Sequence, residues 1–108
     1  MAKRKFKQLV FKYGWDSQAD YETPLRGYRD HVSIQFDDGS RERVVFFDVT
    51  RLSQSLEFER QSGRPFFAET GLIILDEVTR ANMENAARTL ANEGFFDEGS
   101  YVDPDRFR

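Results

Sequence analysis

The stretch from His31 to Phe47 constrains the fold more than any other part of the chain. His31-Val32-Ser33-Ile34-Gln35-Phe36 alternates strictly, which puts Val32, Ile34 and Phe36 on one face of a strand. Asp37-Asp38-Gly39-Ser40 then supplies an Asp-Gly pair, where glycine accepts the positive φ of a tight hairpin turn. Glu42 to Phe47 is the returning strand. Its Val44-Val45-Phe46-Phe47 run is apolar on both faces, as expected of a strand central in a sheet. A chain with such a hairpin must supply further strands to flank it and other elements to cover it.

The flanking segments meet that demand. Phe6 to Tyr13 is rich in β-formers and reads as a first strand, with Leu9, Phe11, Tyr13 and Trp15 on one face and Phe6 and Val10 on the other. Gly14 to Asp30 is polar and has no clear period. A connection of that length in a compact domain is either a functional loop or conceals an element. After the hairpin, Asp48 or Thr50 caps a helix from Val49 to Ser62, stopped by Gly63 and Pro65. Asp48 is the better cap, because Phe47 and Leu52 then fall at the two staple positions. Leu52, Leu56 and Phe58 are expected to face inward.

Gly71 to Glu77 reads as another strand, apolar on both faces at Leu72-Ile73-Ile74-Leu75. Thr79 caps a second helix ending at Gly94, with Val78 and Met83 as its staple pair. Met83, Ala86, Ala87, Leu90 and Ala91 form its apolar stripe. Phe95-Phe96 is expected to fold back on the core. The strand near Leu72 follows a helical crossover and is expected to run parallel to the one near Val45. The predicted architecture is therefore α+β. It is a two-layer sandwich with a mixed four-stranded sheet, in the order strand, β-hairpin, helix, strand, helix, with two helices packed on one face.

An internal echo accompanies this order. Val49-Thr50-Arg51 with Phe66-Phe67-x-Glu69 recurs without gaps as Val78-Thr79-Arg80 with Phe95-Phe96-x-Glu98. It reads either as a duplicated strand-helix unit or as two junctions that each took a Thr cap, and capping preferences favour the second.

The 108 residues make one domain, 1–108, with fraying expected at 1–5 and 103–108. Eleven Phe residues let so small a domain reach a packed core. The chain has no cysteine, which removes disulfides, thiolate metal sites and cysteine nucleophiles together. No long apolar run follows Met1-Ala2-Lys3-Arg4-Lys5, and runs such as Leu72 to Leu75 fall far short of the roughly 20 residues needed to cross a bilayer. A cytoplasmic location without membrane contact is expected.

The net charge of −3 hides a polarity. Lys3, Arg4, Lys5, Lys7 and Lys12 give the first twelve residues +5 without an acid, so the remainder carries −8. Glu93, Asp97, Glu98, Asp103 and Asp105 make the far end acidic. Such segregation argues against a uniformly basic nucleic-acid binder.

Catalytic chemistry finds little support. His31 is the only histidine, which disfavours a histidine-based metal site, and no Gly-x-Ser-x-Gly elbow is present. Asp37-Asp38 is a paired carboxylate, but a turn before Gly39 calls for Asp in any case. Asp76-Glu77 ends a strand where a helix N-terminus welcomes negative charge. Asp97-Glu98-Gly99 with Asp103 and Asp105 lacks the spacing of a calcium loop, and no glycine-rich phosphate cradle appears. No catalytic residue, metal or cofactor is expected.

Two surfaces invite binding. Trp15, Tyr21, Arg26, Tyr28 and Arg29 concentrate between the first strand and the hairpin, and these residue types dominate protein-binding hot spots. Alternatively, the same aromatics complete the core. Lys3, Arg4, Lys5, Lys7, Lys12 and Tyr13, interleaved with Phe6, Phe11 and Trp15, combine phosphate-tracking cations with base-stacking rings, as single-stranded nucleic-acid binders do. Lysines on a sheet edge also discourage aggregation, which explains them without a ligand. The expected function is a non-catalytic protein-binding module of regulatory or immunity-like type, monomeric or homodimeric, partnered by another protein. Nucleic-acid binding through the first strand is the alternative.

Overall fold

The computed structural model describes residues 4–97. Lys3, Glu98, Gly99, Asp103 and Asp105 lie outside the described residues, as do residues 1–3 of the fraying expected over 1–5 and all of that expected over 103–108. The strands are β1 (Phe6–Phe11), β2 (Tyr28–Phe36), β3 (Arg41–Asp48) and β4 (Leu72–Leu75). The helices are α1 (Ser17–Arg26), α2 (Val49–Gln61) and α3 (Arg80–Asn92). The sheet runs β1-β2-β3-β4, antiparallel at its first two junctions and parallel between β3 and β4. The mixed four-stranded sheet and the α+β class expected from the sequence are therefore present.

The hairpin forms as its pattern dictates. Val32, Ile34 and Phe36 are fully buried, and all four residues from Val44 to Phe47 are buried in the interior strand β3. The Phe36 amide donates to the Ser40 carbonyl at 2.9 Å to close the turn, where Gly39 takes φ 85°. On the face of Val32, Ile34 and Phe36, the core adds Leu9, Val44 and Phe46 from the sheet and Val78, Met83, Ala87 and Ala91 from α3 and its entry. Thr79 caps α3 by accepting from the Asn82 amide at 3.1 Å, and both staple residues, Val78 and Met83, are fully buried.

The expected pair of packed helices is unequal. α3 buries Met83, Ala87 and Ala91, whereas α2 buries no residue, and Phe58 is exposed. Asp48, not Thr50, caps α2, its carboxylate accepting from the Arg51 amide at 2.7 Å. Thr79 is thus a cap where its echo Thr50 is a helical residue, so the two junctions are built differently. Phe96 packs on the core as expected, but Phe95 stays exposed.

Two bulges correct the predicted faces. Between Phe6 and Gln8 the register with β2 shifts, so Phe6 pairs with Phe36 and joins Leu9 and Phe11 against the core instead of opposing them. A second shift lies between Arg29 and Val32, where His31 takes φ 55°, the only positive φ of a non-glycine among the described residues. It moves Tyr28, paired with Phe47, off the face of Val32, Ile34 and Phe36, and puts Arg29, paired with Phe46, onto that face.

The stretch from 14 to 30 is not a loop. Asp16 caps α1 by accepting from the Ala19 amide at 2.8 Å, and Gly27, at φ 74°, ends it. Tyr28 to Asp30 then begin β2, three residues earlier than its alternation predicts.

Candidate functional site

The face of the sheet opposite α3 is divided. Toward β4 it is apolar, and the Phe67 ring lies 5.5 Å from that of Phe47. Tyr28 packs 5.8 Å from the other flank of Phe47, with the Arg51 guanidinium 4.4 Å above it. Toward the hairpin turn the face carries polar and cationic side chains. The register aligns Val10, Ser33 and Arg43 in one row across three strands, and Gln8, Gln35 and Arg41 in the next. Gln8 Nε2 donates to Gln35 Oε1 at 2.7 Å within the second row.

Val10, Lys12, His31, Val32, Ser33, Arg41 and Arg43 line an open cleft of about 410 Å³ on this face. No carboxylate lines it. Lys12, Arg41 and Arg43 are exposed, and none of them makes an ion pair within the described residues. In an acidic protein, three cations without an ion pair, two from β3 and one just past the end of β1, leave a local positive field. The Tyr13 ring, beside two of the lining residues though not itself one of them, is 72% exposed. His31 meets it edge-on at 5.2 Å, and Lys12 Nζ sits 5.4 Å from its centroid. His31 Nε2 also lies 3.6 Å from Asp30 Oδ2, outside the cleft lining.

The cations expected along the first strand divide by role. Arg4 is pinned. Its guanidinium donates to Ser40 Oγ, to Glu42 Oε1 at 3.0 Å and to the Phe96 carbonyl at 2.8 Å, and stacks 4.1 Å from the Phe36 ring. It is a structural clamp between the hairpin and the segment that follows α3. Lys5 and Lys7 are exposed along the β1 edge. Lys12 alone reaches the cleft. Arg41 and Arg43 were not expected there. Reading the hairpin register outward from its turn would have found them, because its polar face carries Ser33, Gln35, Arg41 and Arg43 and no acid.

The residues expected to form a protein-binding loop do not gather on one surface. Trp15 stacks 4.9 Å from Phe11 against the core, and Arg29 lies 5.2 Å from the Trp15 ring while donating to the Gly14 carbonyl at 2.8 Å. Tyr28 lies under Arg51 on the opposite face. Arg26 pairs with Glu22 at 3.0 Å along α1. Tyr21 remains 73% exposed, one turn before the equally exposed Leu25.

The acidic pairs sit where their local structure wants them. Hydrogen bonds from the Ser40 hydroxyl, and secondarily the Ser40 amide, hold the Asp38 carboxyl below its ordinary 3.8. Glu77 offers its carbonyl to the Asn82 side chain at the head of α3. No group of three or more His, Asp or Glu residues suited to a metal ion occurs among the described residues, and no helix there is long and apolar enough to cross a membrane. The chain matches no family model, no curated protein and no solved structure.

Proposed function

We propose that this domain is a non-catalytic binding module that holds an anionic macromolecule against the open face of its sheet. The observation that carries this is the cleft lined by Lys12, Arg41 and Arg43 without a single carboxylate. Cations on a rigid sheet are positioned without the ordering cost that a flexible tail incurs on binding. The absence of an acid from the cleft lining preserves a local attraction despite the net charge of −3. The test is elution from a heparin column as a function of salt. Arg41→Gln and Arg43→Gln should each elute earlier, and the salt slope of binding should fall by roughly 0.7–0.9 per phosphate-like contact removed. Unchanged elution of the double variant would end the proposal.

A second reading, protein binding, is favoured by one feature of α1. Tyr21 and Leu25 are exposed four residues apart on one helix face, where an apolar pair suits a partner groove. Under this reading Tyr21→Ala with Leu25→Ala abolishes capture of a protein partner at unchanged thermal stability, and Arg41→Gln with Arg43→Gln does not.

A further inference from the structure

The cationic face has an aromatic end, and the two together narrow the class of ligand. Lys12 leaves the last residue of β1 with its amide bonded to the His31 carbonyl at 3.0 Å. That bond fixes where Tyr13 begins. The ring of Tyr13 then stands 72% exposed, braced edge-on by His31 at 5.2 Å and flanked by Lys12 Nζ at 5.4 Å. One side of this unit is therefore held by the protein. Lys12 and His31 both line the cleft that Arg41 and Arg43 close, so ring and cations belong to one continuous surface.

An acidic peptide would use the cations and leave the ring idle. A sulfated polysaccharide offers sulfates and sugar C–H faces but no planar base to stack on the ring. Duplex nucleic acid offers phosphates, but its bases are stacked on each other and closed to a side chain. A single strand offers both groups at once, a charge at each nucleotide and an unstacked base beside it. Arg41 and Arg43 lie two residues apart on one face, so their side chains leave the sheet roughly 7 Å from each other. Ser33 and Gln35 lie beside them on β2 with side-chain groups that both donate and accept.

Resting on the reading of this face as an anion-binding surface, we infer that its ligand is single-stranded nucleic acid, with one base stacked on Tyr13 and the following phosphates on Lys12, Arg43 and Arg41. Recognition of this kind is tolerant of sequence, since every base has a π face.

The decisive comparison uses two labelled twelve-nucleotide probes, oligo-dT and an abasic strand with the same phosphates, read by fluorescence anisotropy at fixed salt. The wild-type protein should bind oligo-dT about fivefold or more tightly than the abasic strand. Tyr13→Ala should erase that difference while leaving affinity for the abasic strand and the circular dichroism spectrum unchanged. Tyr13→Phe, which keeps the ring, should restore it. Arg43→Gln should weaken both probes alike. Equal affinity of the wild type for the two probes, or an acidic peptide bound as tightly as oligo-dT, overturns the single-strand assignment while the anion-binding reading stands. Indifference of every probe to Arg41→Gln and Arg43→Gln overturns both.

Discussion

Gly27 is a residue whose identity follows from its surroundings. It ends α1 at φ 74°, and its carbonyl accepts from the Asp48 amide at 2.8 Å. A Cβ at this position would come within 2.6 Å of Asp48 Oδ2, the carboxylate of the group that caps α2. Gly27→Ala therefore meets both a strained backbone and a displaced cap. It should destabilise the fold by about 2–3 kcal/mol, against about 1 kcal/mol for Asp48→Ala, which loses the cap alone. Urea unfolding of the two variants checks the order, and equal losses would mean that the contact with Asp48 relaxes freely. At the hairpin turn, Asp38 should titrate below its ordinary 3.8, with Ser40→Ala raising the midpoint toward that value. Because the folded-state pKa is the lowered one, the associated stability is present above the unfolded value and is lost as pH falls through the folded value. Carboxyl chemical shifts in a pH series measure both midpoints.

At the scale of elements, α2 and α3 are of equal length and differ in what they bury. Three α3 residues enter the core and no α2 residue does. Met83→Ala should cost about 2–5 kcal/mol, as a large core truncation does, and Leu56→Ala, on a half-buried face, clearly less. Amide hydrogen exchange should likewise protect α3 more strongly than α2, and the reverse order would contradict the burial pattern. What was legible in the sequence follows the same division. The hairpin, the Thr79 cap with its Val78 and Met83 staple, and the parallel return at Leu72 all have a local pattern that tertiary packing reinforces. α1 has little of one. Only Thr23 of its ten residues is buried, Pro24 lies within it, and its order comes from Asp16, Gly27 and the pairs of Glu22 with Gln18 and Arg26. The faces of β1 were misread because a bulge shifts the alternation by one residue, and nothing in Lys5-Phe6-Lys7-Gln8 announces it. The cationic face was half legible for a related reason. Lys12 stood out in a run of lysines, whereas Arg41 and Arg43 become its neighbours only once three strands are in register.

Across the whole molecule, the two edges of the sheet are built in opposite ways. β1 exposes Lys5 and Lys7 and carries a bulge, both of which deter a second strand. β4 has neither charge nor bulge in Leu72-Ile73-Ile74-Leu75. The Val45 amide bonds the Gly71 carbonyl, and in an evenly spaced parallel ladder that phase turns the backbone groups of Leu72 and Ile74 away from β3. Ile74 is 42% exposed beside them. An apolar edge with unspent backbone bonds makes the molecule prone to associate there, and a twofold pairing of β4 with itself would leave the cationic faces of both copies on one side. Sedimentation across a concentration series should therefore show self-association that Ile74→Lys removes at unchanged secondary structure. Lys7→Ile, which strips the guard from the opposite edge, should increase association instead. If Ile74→Lys sediments as the wild type does at every concentration, the β4 edge does not drive association.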